Sequence, residues 1–103
     1  MMSDEWTEMV PGVRRRIRED GEQLMLVEVH LDLDAVVPVH HHVHEQMTYV
    51  VSGKLAFEVD GKPQELVTGQ SLKLPSNIPH GVRAVEASVV LDMFSPPRED
   101  FRK

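Results

Sequence analysis

The chain has 103 residues, enough for one domain with one compact core. Apolar residues make up 41%, but only one Trp, one Tyr and three Phe contribute, so the core must rest on Val, Leu, Ile and Met. A formal charge of −6 argues against nucleic acid or an anionic membrane surface as the main partner, and the lack of cysteine excludes disulfides and thiolate metal sites.

Taken in chain order, the first nine residues, MMSDEWTEM, carry the one weak suggestion of a helix, and residues 1–12 read as an N-terminal extension of a single domain spanning 1–103. Met1 leads into Ser3-Asp4-Glu5, the opposite of a positively charged secretory start, and no long apolar run follows, so a soluble cytoplasmic protein is expected. Arg14, Arg15, Arg16 and Arg18 form the one basic run; with Glu19, Asp20 and Glu22 following at once, it reads as a solvated strand face. Asp20-Gly21 is a hairpin-turn dipeptide. Residues 24–33, LMLVEVHLDL, then place Val27, Val29, Leu31 and Leu33 on one face and Glu28, His30 and Asp32 on the other, the period of a strand between two environments. Ser52-Gly53 divides TYVV from KLAFEV, Asp60-Gly61 is a second turn dipeptide, and 64–67, 71–74, 81–85 and 88–94 complete the set of short strands. The tail, 96–103, ends the last strand because successive prolines cannot serve a sheet ladder. Short strands at this spacing, without repeat or linker, predict an all-β sandwich or barrel.

Four of the six histidines fall within residues 40–44. On a strand, His40 and His42 point to one face with Cα atoms about 6–7 Å apart, a spacing that lets two imidazoles meet on one divalent ion at ~2.1 Å each. Gln46 has the same parity and an amide oxygen able to coordinate. His80 follows the turn Pro75-Ser76-Asn77, well placed to point into a barrel mouth. His41 has the opposite parity, while His44 or Glu45 could replace Gln46 if a bulge falls in this corner. The same cluster would also suit a solvated loop.

Two spacings decide between these readings. His40, His42, Gln46 and Gly53 match the pattern His-x-His, three or four residues, Glu, six residues, Gly; Gly69, Pro75, Asn77, His80 and Ala84 match Gly, five residues, Pro-x-Gly, two residues, His, three residues, Asn. In this the chain resembles the cupin superfamily, with Gln in the Glu place, Asn77 in a Gly place that needs φ > 0, and Ala84 in the last Asn place. The resemblance implies a double-stranded β-helix (jelly-roll) barrel around one divalent transition metal held by His40, His42, Gln46 and His80. These ligands do not choose among Zn, Ni, Mn, Fe and Cu.

In the last strand, Val90, Asp92 and Phe94 share a face, which puts a carboxylate among apolar neighbours, where an ionised group is costly unless partnered. Asp92 is thus a candidate general acid/base, or else a solvent-facing residue or the structural partner of an arginine such as Arg98. Phe94 is an apolar wall or part of the core, and Arg98 either a clamp for a substrate carboxylate or a surface partner of Glu99 or Asp100. The ending Asp92-Met-Phe94-Ser-Pro-Pro-Arg98-Glu-Asp100 resembles the pectin-degradation cupins of the KdgF type. That resemblance implies metal-dependent conversion of unsaturated monouronates into linear keto sugars, with Asp92, Phe94 and Arg98 lining the site. The partner expected is then a small carboxylated sugar; an oxygen-dependent dioxygenase or a non-catalytic binding cupin are the alternatives. Cupins of this kind commonly dimerise through an apolar sheet face, so a homodimer is expected, with strand 24–33 as its interface.

Overall fold

The computed structural model describes residues 5–102. Its strands are β1 (Thr7–Val10), β2 (Val13–Asp20), β3 (Met25–Leu31), β4 (Val36–His40), β5 (Glu45–Ser52), β6 (Lys54–Val59), β7 (Lys62–Val67), β8 (Ser71–Leu74), β9 (His80–Ala84) and β10 (Ser88–Ser95), followed by a 3-10 turn at Glu99–Phe101. They form two antiparallel sheets, β1-β2-β3-β10-β5-β8 and β4-β9-β6-β7, and the fold is the expected all-β jelly roll. Inward side chains of the two sheets make one core: Val13, Val27, Val29, Val50 and Val90 from the first, Leu55, Phe57, Leu66 and Ala84 from the second.

Local sequence explains why strands form where they do. Along β3 every second residue is buried, so one face packs against the opposite sheet. Asp60 (φ 52°) and Gly61 (φ 78°) make the two-residue turn between β6 and β7, where both positions need the left-handed region. Asn77 has φ 64°, as its place in the second motif requires. Gly53 has φ 110°, and a Cβ there would collide with Ser88, so the turn between β5 and β6 demands glycine twice over.

Four expectations need correction. Residues 7–10 are not helical: Thr7 and Glu8 pair with Arg15 and Arg14, making β1 the edge of the larger sheet, and Trp6 packs on β2 and β3. Glu5 and Trp6 are not helical either, and the rest of the helix expected over the first nine residues falls on 1–4, outside the described residues. Leu33 does not continue the buried face of β3, because the strand ends at Leu31 and the chain turns through Asp34 (φ 66°), leaving Leu33 exposed. The arginine run is not uniformly solvated either. Arg15 pairs in register with Val29 and lies with its guanidinium carbon 3.9 Å from the Phe101 ring centroid, while Arg16 and Arg18 bind Glu28. Lastly, the outward side of β3 is a poor apolar interface, since Glu28 and His30 occupy it. The large exposed apolar side chains of this sheet are Met47, Tyr49, Val51 and Met93 on β5 and β10, with Met9 on the edge strand β1.

Glu28 holds this outer face together. Arg16 Nε (3.1 Å) and Arg18 Nη1 (2.6 Å) donate to its Oε1, and His30 Nε2 lies 2.6 Å from Oε2. Burial pushes the carboxyl up, but the bonds from His30, Arg18 and Arg16 outweigh it and hold Glu28 at about 2. Against an ordinary value of 4.5, that depression contributes about 3 kcal/mol. Because the folded value lies below the unfolded one, the contribution is complete above pH 4.5 and is lost as pH falls toward 2. Urea unfolding should therefore separate wild type from Glu28→Gln by about 3 kcal/mol near neutrality and bring them together by about pH 2. A gap that persists undiminished at that pH would refute the assignment.

Candidate metal centre

Three strands and a turn bring the distant histidines together. β4 ends at His40, β9 begins at His80, and the two residues pair across the smaller sheet. His42 lies just beyond β4, in the link to β5. The ring centroids of His40 and His80 are 4.5 Å apart, those of His42 and His80 5.0 Å, and those of His40 and His42 5.7 Å. One nitrogen from each lies within 4.8 Å of the other two, the one such trio of His, Asp or Glu groups among the described residues. His41 is exposed and outside it.

The backbone sets which nitrogen each ring presents. The Nδ1 of His40 meets the Pro38 carbonyl at 2.8 Å, that of His42 the His44 carbonyl at 3.0 Å, and that of His80 the Ile78 carbonyl at 2.9 Å. A carbonyl can only accept, so each Nδ1 carries the proton and each Nε2 presents a lone pair, the outer-partner arrangement typical of metal-binding imidazoles. Desolvation, then the charges of Arg98 and His80, push His42 down to about 4, and burial likewise lowers His80. Both rings are therefore neutral at pH 7, the form that coordinates.

Gln46 is the fourth candidate, and its surroundings fit a cation better than they fit an empty polar contact. Its Oε1 lies 3.1 Å from His42 Nε2, while its Nε2 donates to Thr48 Oγ1 at 3.0 Å. With the His42 proton on Nδ1, the 3.1 Å contact sets one lone pair against another. A positive ion bound by both atoms removes that conflict, so the donor set of His40, His42, His80 and Gln46 fits a divalent transition metal. Glu45 is exposed and of opposite parity. His44 is also outside the trio; its ring packs against His42 and Phe94, and its buried Nδ1 has no hydrogen bond.

Behind the donors, Thr48 Oγ1 donates to Asp92 Oδ1 at 2.6 Å, linking Gln46 to Asp92. Asp92 sits between β3 and β5, opposite Val27 and Thr48, and lines the same cavity as His40, Gln46 and His80. Desolvation raises its carboxyl to about 6 despite the hydrogen bonds of Thr48 and Gln46 and the charge of Arg98. Phe94 and Arg98 line the cavity too, with the Arg98 guanidinium carbon 5.0 Å from the Phe94 ring centroid. All seven residues singled out from the sequence thus converge.

Two contributors were not singled out. Thr48 was legible in principle, since it shares parity with Gln46 and faces Asp92 across the ladder. Phe101 lines the cavity from the C-terminal turn, edge-on to Phe94 at 5.6 Å, and no strand pattern announces it.

Comparison with known proteins agrees with this geometry. The family model for the cupin domain matches residues 27–94. The pectin degradation protein KdgF of Dickeya dadantii (strain 3937) is 37% identical over 98 residues, covering 93% of this chain and 89% of that protein. The solved structure of KdgF from Halomonas sp. superposes with a TM-score of 0.88 at 38% identity, covering 93% of this chain and 89% of that one. An RmlC-like cupin from Shewanella frigidimarina NCIMB 400 gives 0.89 at 35% identity, covering 94% and 87%.

Proposed function

This chain belongs to the cupin family, and from that premise we propose that it is a metal-dependent isomerase that opens and ketonises a small unsaturated monouronate. The observation that carries the reading is the hydrogen-bonded path from a candidate metal donor to a buried acid, from Gln46 through Thr48 to Asp92. The similarity to KdgF, a pectin degradation protein, supports a uronate as substrate.

A bound divalent metal would supply Lewis-acid polarisation of a substrate oxygen. The protein's own residues do the rest. Arg98 offers a planar fork for the uronate carboxylate. Phe94, Val29, Leu31 and Leu55 give the cavity an apolar wall that keeps water from the reacting carbon. The reaction is redox-neutral: a proton leaves the anomeric hydroxyl as the ring C–O bond breaks to give an aldehyde and an enolate, and a proton then joins the enolate carbon. Asp92 is the group that moves it, and a carboxyl desolvated to about 6 takes and gives protons near neutrality more evenly than an ordinary carboxylate.

Proton NMR of an unsaturated monouronate tests the reading, using protein as isolated, stripped with a chelator, and reloaded with metal. Ring opening should be faster than in a protein-free control, fall to the control rate after stripping and recover on reloading. No acceleration with metal shown to be bound would eliminate this substrate. The homodimer belongs to the same proposal, with the exposed outer face of β5 and β10 as the contact; light scattering giving a monomer mass would remove it.

A further inference from the structure

Arg98, read above as the clamp for a substrate carboxylate, already holds one. Its Nε donates to Asp100 Oδ1 at 3.0 Å and its Nη2 to Oδ2 at 2.9 Å, the two-pronged geometry in which a guanidinium binds a free acid. The partners are unequally placed. The Arg98 side chain is 14% exposed and lines the cavity, whereas Asp100 is 60% exposed on the 3-10 turn.

The guanidinium is braced independently of Asp100. Its carbon lies 5.0 Å from the Phe94 ring centroid and 4.3 Å from that of Phe101. The turn is tied down on its far side by Arg102, whose Nε and Nη2 reach Asp20 at the end of β2 at 2.9 and 2.6 Å. Moving the Asp100 side chain off the fork therefore leaves the cation, the rings and the turn in place. Arg98 lines the same cavity as His40, Gln46, His80 and Asp92. An acid seated on this fork would thus lie in the neighbourhood of the candidate donors.

Resting on the uronate reading, we propose that Asp100 is an internal carboxylate that fills the Arg98 fork until a carboxylated substrate replaces it. It acts as an internal competitor: a ligand with an acid group must displace it to reach Arg98, whereas a neutral ligand that makes no use of the fork binds equally well with or without it. Because Asp100 is largely in water, its hold on Arg98 is that of a weak, solvent-screened pair, so a well-placed acid can compete.

The test is calorimetric titration of metal-loaded wild type, Asp100→Asn and Asp100→Ser with galacturonate and with its neutral methyl ester. Removing the internal acid should lower the galacturonate Kd roughly five- to tenfold in both variants and leave the ester Kd unchanged. An unchanged or raised galacturonate Kd, an equal gain for the ester, or no galacturonate binding to any of the three proteins would overturn the proposal. Turnover of the unsaturated monouronate by the same wild-type preparation keeps the two readings apart. Acceleration without an Asp100 effect removes only the internal acid, and a Kd shift without acceleration removes only the reaction.

Discussion

Exchanging His80 for Ala is expected to strip the protein of its metal and bring turnover down to the spontaneous rate. His80 is buried at the start of β9, its Nδ1 is held by the Ile78 carbonyl, and its ring faces both His40 and His42. Without it, two imidazoles and one amide oxygen remain, too few for a tight site. The loss in affinity should exceed the ~10–100-fold that removal of an outer partner alone costs. Metal content after gel filtration, measured by mass spectrometry, checks this directly. The substitution also leaves a small void, so circular dichroism must show the variant folded before its metal content is read. A folded His80→Ala protein with wild-type metal content would dismiss the centre as described.

Asp92→Asn should separate chemistry from metal binding. Asn has the same shape and can still accept the 2.6 Å bond from Thr48 through its oxygen, so neither the β3–β10–β5 ladder nor the donors should move. It cannot carry a proton between oxygen and carbon. We expect kcat to fall by about 10²–10⁴ with metal content unchanged, the range that a positioned acid or base supplies. Stability should stay level or rise, because burying a neutral amide costs less than burying a carboxylate. Unchanged turnover would take Asp92 out of the mechanism and leave it a structural residue.

Legibility followed the contrast between faces. In β10 the residues Val90, Asp92 and Phe94 stood out because their strand runs against β3 without a bulge, so simple parity held over its length. His40 and His42 were legible through the spacing of their motif, since β4 ends at His40 after a register shift and parity does not carry on to His42, and His80 through the spacing of turn residues ahead of it. β2 was not, because its arginines occupy both faces and parity conveys nothing when residue type does not change. A bulge between Ile17 and Glu19 blurs it further. β1 escaped notice because an edge strand of four residues is defined by its neighbour. The partner of Arg98 was legible only as a choice between Glu99 and Asp100, and the geometry of the 3-10 turn decides it.

The hydroxyl of Thr48 has one proton to give, and it gives it to Asp92. Facing Gln46 it can then only receive, so the amide must turn its NH2 toward the threonine and its oxygen toward His42. An amide has two ends that differ by almost nothing in shape, and packing alone would hold either way round. Here the choice is made from behind, by a carboxylate two side chains away. The row of groups has a sense of travel, like a file of compass needles aligned by the last one, and the acid at its end decides which atom the histidines meet.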